Sequence, residues 1–363
     1  MCLHGDHLVT RILINNPVSK QMQVKLSLEL ASLVRLALFY VSTMLVLNNH
    51  EIAGLLSLDE VIATVEAALI ANEQNSCLVP KRMHIDWGEN TFLSMPSFSD
   101  TYFGTKLVSV VPGNNKQQLA VTNGAMLLND AHTGFPLAIM NAAKLTALRT
   151  GALGAIGIRY MTPPDINTVG LIGCGVQGIQ QAIFACAVRP VTKIYCLQRS
   201  ATSMTAFTAE LREQFPSVAV IPCKDAATIL QHTNVIIAAS RSATPVLPND
   251  TRLLENKHFI SIGSYKPDMQ ELPDHVFRLS GKLAIDSVFA KTETGDIINP
   301  LRKGILQEKD VFTIGKLLTG EVKVDVTGTT AYKSAGMALF DLFMAKALYE
   351  AAKARNIGTH ISF

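Results

Sequence analysis

The run Val169-Gly170-Leu171-Ile172-Gly173-Cys174-Gly175-Val176-Gln177-Gly178 has the residue types and spacing of a phosphate-binding turn. An apolar strand pattern leads into Gly-x-Gly-x-x-Gly, and an apolar helix pattern continues to Val188. Gly173 permits the tight turn, Gly175 lets backbone approach a pyrophosphate, and Gly178 lets the helix pack against the strand. Free N–H groups at the helix start then face the phosphates. This is the chemistry of a dinucleotide site. A merely structural glycine turn would not need both flanking elements, and both are present.

The end of the next strand speaks to cofactor type. A carboxylate there would bind the ribose 2′-hydroxyl of NAD and repel a 2′-phosphate. The chain instead has Leu197-Gln198-Arg199-Ser200. Arg199 can pair with a phosphate and Ser200 can hydrogen-bond to it, so NADP(H) is the expected cofactor, with NAD(H) as the alternative.

These groups need a scaffold, and the patterning supplies one. Residues 58–72 carry apolar positions at helical spacing, with Ser57 as N-cap and Glu60 three residues on. From Pro80 to Met140 the signal is β: short strands at 91–95, 105–111, 125–129 and 137–140, parted by Pro112-Gly113-Asn114-Asn115 and Asp130-Ala131-His132-Thr133-Gly134. Residues 142–160 read as helix, stopped by Thr162-Pro163-Pro164-Asp165. Strands then alternate with helices, at 168–172, 193–197, 218–221, 235–239, 258–262 and 283–287, until near Asn299. That alternation is the signature of a doubly wound parallel sheet. A long closing helix over 334–354 is expected to return to the first domain. The expected fold is therefore α/β: a Rossmann domain over 163–299, and an α+β open-sheet domain from 44–162 and 300–363, built from both chain ends.

Composition excludes some functions. The 363 residues hold 48% hydrophobic and 17% charged residues with a net charge of +3. No Lys/Arg stripe suggests nucleic acid. The six cysteines, Cys2, Cys77, Cys174, Cys186, Cys196 and Cys223, form no Cys-x-x-Cys pair and have no histidine cluster beside them. No metal site is expected, and the thiols read as reduced and mostly buried in a cytoplasmic protein. Residues 26–47 are apolar-rich, but Glu29 and Arg35 interrupt them, which is costly inside a membrane. No small-residue cleavage site marks a secretory leader. Residues 1–43 read as an extension before a fold that begins near Met44.

Several further pieces, in this order, resemble the ornithine cyclodeaminase and μ-crystallin family: Pro80-Lys81-Arg82, Leu93-Ser94-Met95-Pro96, Gly104-Thr105-Lys106-Leu107-Val108-Ser109 with Pro112 and Asn114, and Leu145-Thr146-Ala147-Leu148-Arg149-Thr150. The glycine turn, Asp286-Ser287 with Gly295-Asp296, and Tyr332-Lys333-Ser334-Ala335-Gly336 follow. The resemblance runs from about Met44 to the C-terminus. It implies a homodimer formed through the open-sheet domain, with an amino- or imino-acid substrate in the cleft beside the nicotinamide. It also implies that Arg82, Lys106 and Arg149 hold the substrate carboxylate. That agrees with the two-pronged fit of an arginine to a carboxylate. Lys106 is the implied catalytic group, since a buried lysine near other cations has a lowered pKa and can move a proton. Met95 and Thr122 are carried as substrate contacts, and Thr150, Val176, Gln177 and Ser240 join the glycines, Arg199 and Ser200 as cofactor contacts.

One departure shifts the expected reaction. Cyclodeaminases of this family carry an aspartate where this chain has Tyr265, anchored by Pro267 and Glu271-Leu272. A phenol, with an ordinary pKa of about 10, is neutral at physiological pH and pairs poorly with an ammonium group. The expected activity is therefore NAD(P)H-dependent reduction of a cyclic imino acid, Δ1-pyrroline-2-carboxylate or Δ1-piperideine-2-carboxylate, to L-proline or L-pipecolate. The alternatives are ornithine cyclodeamination, an alanine or opine-type dehydrogenase, and a non-catalytic NADPH binder like the μ-crystallins.

Overall fold

A computed structural model describes Lys25 and residues 43–198 and 200–362. The extension assigned to residues 1–43 lies outside the described residues, save Lys25 and Thr43. Thr43–Leu47 (β1) pairs antiparallel with the last strand, Thr359–Ser362. Residues 47–358 form a separate unit that holds both halves of the expected fold.

The helix Leu58–Glu73 (α1) starts with the expected capping box. Ser57 accepts from the Glu60 N–H, and the Glu60 carboxylate accepts from the Ser57 N–H. An antiparallel sheet follows, of Met83–Trp87 (β2), Asn90–Phe98 (β3), Tyr102–Val110 (β4), Thr122–Asp130 (β5) and Pro136–Asn141 (β6), each paired with its chain neighbour. These strands run longer than their apolar runs suggested, because backbone pairing continues through the polar ends. The outer face of this sheet is left apolar and exposed at Met83, Ile85, Trp87, Phe92 and Leu107.

Ala142–Met161 (α2), capped by Asn141, leads to the second half. There Thr168–Ile172 (β7), Val176–Val188 (α3), Lys193–Leu197 (β8), Ala201–Gln214 (α4), Ala219–Pro222 (β9), Ala226–His232 (α5), Val235–Ala238 (β10) and His258–Ser261 (β11) alternate. Asp274–Ser280 (α6), Leu283–Ile285 (β12) and Gly295–Arg302 (α7) continue the pattern. The parallel sheet does not stop near residue 299 as expected. Val311–Thr313 (β13) pairs with β12, and Thr330–Lys333 (β14) inserts between β11 and β12. The boundary is thereby corrected: the sheet order is β13-β12-β14-β11-β10-β7-β8-β9. Both late strands have only three or four residues, and β14 ends in a buried lysine, so neither shows an apolar run.

The closing helix is Ala338–Arg355 (α8), starting four residues later than expected because β14 claims the chain as far as Lys333. It packs against α1 and across β3, β4 and β5, so the C-terminal part of the chain does cover the open sheet. Three glycines of α2 bring the halves together: a Cβ at Gly151, Gly154 or Gly157 would collide with Phe184, Gln181 or Tyr332. The core of the parallel half gathers Phe259, Phe277, Leu283 and Ile285 between sheet and helices.

Candidate active site

Lys106 stands in the middle of β4. Strand register puts Met95 of β3 on one side of it and Met126 of β5 on the other, with Met140 of β6 beyond. A lysine in a row of methionines is deprived of water, and Lys106 is only 2% exposed. Its charge is answered by Asp341 of α8, 0% exposed, whose Oδ2 lies 2.7 Å from Lys106 Nζ. Lys106 also donates to Thr146 Oγ at 3.3 Å. One turn on in α2, Arg149 donates from Nε to Asp341 Oδ1 at 3.1 Å. Burial lowers the Lys106 pKa to about 8, with Asp341 opposing and Arg149 assisting. Burial works to raise the Asp341 carboxyl, but Lys106 and Arg149 more than offset it and hold it below the usual range. Two cations thus share one anion, and the cluster has a surplus positive charge.

Arg82, just before β2, donates from Nη2 to Glu293 Oε2 at 2.7 Å and to the Gly336 carbonyl at 2.8 Å. Gly336 also abuts Arg149. A Cβ there would collide with Arg149 Nη1, and its φ of +76° favours glycine as well. The turn carrying Gly336 is gripped from behind by buried Asp286, whose Oδ2 accepts from Ser334 Oγ (2.7 Å), the Ala335 N–H (3.0 Å) and the Gly336 N–H (2.6 Å). The three predicted cations therefore converge: Lys106 and Arg149 through Asp341, and Arg149 and Arg82 at Gly336.

The glycine turn has the local geometry its spacing requires. Gly173 has φ +96° and donates to the Leu197 carbonyl at 3.0 Å, and a Cβ on Gly178 would collide with the Gly173 carbonyl. A Cβ on Gly175 would meet nothing within 4 Å, so the space in front of it is open. Gly175 caps α3 without a side-chain hydrogen bond, and Val176 is exposed beside it. The first N–H groups of α3 thus keep their capacity for an anion. These residues fit a pyrophosphate.

Around the turn, the Cys174 N–H donates to Gln198 Oε1 at 3.0 Å. Buried Gln181 donates to the Thr150 carbonyl at 2.7 Å, tying Thr150 to α3. Ser200 caps α4. Arg199 lies outside the described residues. Ser240, after β10, gives both its N–H (2.6 Å) and its hydroxyl (2.8 Å) to Glu271 Oε1. Gln177 sits in the first turn of α3 with its Oε1 buried and unpartnered.

One predicted site position stands apart. Thr122 shares the Lys106 face of the sheet but pairs with Val110 at the exposed end of β5. Four residues of strand, roughly 13 Å, separate it from the residue opposite Lys106. Tyr265 is 40% exposed, with Lys266 Nζ 6.0 Å from its ring. Sequence reasoning missed Asp341, Glu293 and the grip of Asp286. Asp341 could have been noticed as the single charge in the apolar stretch Ala338-Leu339-Phe340-Asp341-Leu342-Phe343-Met344-Ala345. Among the described residues, no cluster of His, Cys, Asp or Glu could hold a metal ion, and no helix is long and apolar enough to cross a membrane.

Known proteins resemble this chain over most of its length. The chain is 33% identical over 330 residues to a Δ1-pyrroline-2-carboxylate reductase of Bacillus cereus, covering 88% of this chain and 100% of that protein. Its fold matches the Thermococcus litoralis Δ1-pyrroline-2-carboxylate reductase solved with NADH and L-proline, with a TM-score of 0.81, 30% identity, and 88% and 100% of the two chains covered. An archaeal alanine dehydrogenase dimer with bound NAD matches with a TM-score of 0.81 at 27% identity, covering 88% and 99%. The profile of the ornithine cyclodeaminase/mu-crystallin family spans residues 42–356, and the chain belongs to that family.

Proposed function

We propose that this protein is an oxidoreductase that reduces a cyclic imino acid, Δ1-pyrroline-2-carboxylate or its six-membered homologue, to the L-amino acid. The observation that carries this reading is the surplus positive charge of the buried Lys106–Asp341–Arg149 cluster beside Arg82. Such a cluster gains most from an anion that brings its own carboxylate into a dry site. The reductases of Bacillus cereus and Thermococcus litoralis support the same reading.

The residues act in a simple division. The Nη1/Nη2 edge of Arg149 takes the substrate carboxylate, with Arg82 adding a hydrogen bond. Met95, beside Lys106, walls the apolar part of the ring. Lys106, with a pKa brought close to neutrality, holds a proton at the imine nitrogen and keeps the adjacent carbon electrophilic. A reduced nicotinamide dinucleotide, when bound, would supply a hydride to that carbon, so that C=N becomes a C–N single bond with a new C–H, the nitrogen keeping its proton. The glycine turn, Ser200, Thr150 and Gln177 hold the dinucleotide, whereas the donors of Ser240 are already given to Glu271.

NADP(H) over NAD(H) is the finer proposal. It rests on the amide of Gln198, which stands where an acid would select NAD, and on Arg199 next in the chain. The solved relatives carry NADH or NAD, so the two cofactors must be run side by side. A homodimer through the outer sheet face is supported by its exposed apolar residues, Trp87 being 75% exposed, and by the dimeric alanine dehydrogenase. Trp87→Lys is expected to halve the mass measured by light scattering.

The deciding assay follows NADPH and NADH oxidation with Δ1-pyrroline-2-carboxylate. Rapid oxidation establishes the reductase, and a preference for NADPH supports Arg199. Oxidation only with pyruvate and ammonia would replace it with an alanine dehydrogenase. Ammonia release from L-ornithine would restore cyclodeamination.

A further inference from the structure

A guanidinium has two edges on which paired N–H groups can meet a carboxylate, and Nη2 belongs to both. At Arg82 both hydrogens of Nη2 are spent, one on Glu293 Oε2 and one on the Gly336 carbonyl. No two-pronged edge of Arg82 is left. At Arg149 the engaged nitrogen is Nε, and the Nη1/Nη2 edge remains. The two arginines that converge on Gly336 are therefore not equivalent: one is ready for a carboxylate, and the other already holds one.

The carboxylate it holds comes from the opposite half of the molecule. Glu293 ends the short helix Ala290–Glu293 after β12 of the parallel sheet, whereas Arg82 leads into β2 of the open sheet. Its side chain is 15% exposed, so it lies at the rim of the site. Burial pushes its carboxyl above the ordinary range, with Arg82 opposing, so the charge is held at a cost.

We propose that Glu293 is a stand-in for the ligand carboxylate: it occupies Arg82 across the cleft and must give way before Arg82 can grip a ligand with two hydrogen bonds. The inference rests on the carboxylate-binding role given above to Arg82 and Arg149. Glu293 thus weakens binding of every carboxylate ligand and ties the two halves together until one arrives. It is a positioning and affinity-setting residue, separate from the proton chemistry of Lys106.

The test compares the wild-type protein with Glu293→Gln and Glu293→Ala. Gln keeps the shape and lowers the competition; Ala frees the edge that Glu293 occupies, while the other Nη2 hydrogen stays on the Gly336 carbonyl. Binding of L-proline and of acetate is read by calorimetry, and the dinucleotide KM serves as reference. The stand-in predicts that both variants bind both ligands about tenfold more tightly, in line with removal of a charged hydrogen-bonding competitor, while the dinucleotide KM moves less than twofold. It also predicts no gain in KM for Δ1-pyrroline, which lacks the carboxylate. Unchanged or weaker ligand binding in both variants would overturn it and make Glu293 a supporting partner of Arg82. If the wild-type protein reduces no imine but the variants still bind acetate more tightly, the functional reading fails and the stand-in survives. If imines are reduced and acetate binding is not improved, the stand-in alone fails.

Discussion

Two buried lysines invite comparison. Lys106 sits with Asp341 and Arg149; Lys333, 0% exposed at the end of β14, sits with Asp296 and Glu271. The second cluster is saturated. Glu271 accepts from Ser240, Ser261, Gly263 and Ser264, and Asp296 accepts from Ser261, Ser264 and the Glu271 and Leu272 N–H groups. Ser261 lies within hydrogen-bonding distance of both carboxylates but has one hydrogen to give. Burial pushes the Glu271 carboxyl up, and Lys333 opposes that shift. The capacity of this cluster is spent on fixing the loops after β10 and β11. The first cluster has one anion for two cations and an arginine edge to spare. A site of this kind differs from a structural network less by its residue types than by what it leaves unmatched.

Removing each lysine separates the two roles. Lys106→Met should lower kcat/KM for the imino acid by about 10²- to 10⁴-fold and leave dinucleotide binding, read by fluorescence titration, intact. A loss under tenfold would remove Lys106 from the chemistry. Lys333→Met should instead lower unfolding free energy by about 3–5 kcal/mol in urea titrations, because it strands buried carboxylates. The imino-acid KM of the folded protein should hold, and a large rise in it would give the second cluster a direct part in substrate binding.

The proton balance of the first cluster sharpens the contrast further. With Lys106 near 8, kcat/KM should fall as pH rises through about 8, since the ammonium is the active form. Stability has the opposite sign. Between about 8 and the ordinary lysine value the unfolded chain binds more protons than the folded one, so the Lys106 contribution to stability rises with pH there. Asp341→Asn removes the anion that holds this proton, and the alkaline limb should shift down by about one to three pH units. An unmoved limb would assign it to another group.

Different parts of this arrangement were legible to different degrees. Gly173 and Gly178 could be read singly, because a positive φ and a carbonyl collision leave a glycine signature. Lys106, Arg149 and Arg82 look ordinary as single residues and became readable only through the order of motifs around them. Asp341 was hidden twice: it interrupts an apolar helix face, and its partner Arg149 is 192 positions away. Thr122 was carried to the site by likeness, yet strand register sets it at the far end of β5. The strands β13 (Val-Phe-Thr) and β14 (Thr-Ala-Tyr-Lys) escaped notice because neither carries the apolar run that marked the equally short β10 and β11.

The stretch from Lys333 to Asp341 deserves a different reading in view of these contacts. It supplies Lys333 to one cluster, the Gly336 turn to both arginines, and Asp341 to Lys106. One residue inserted at the start of α8 would turn Asp341 by about 100° around the helix axis and strip both cations of their anion without altering any side chain. Over these nine positions, length is the invariant that divergence must respect, and an otherwise tolerable insertion would disable the protein more surely than most substitutions.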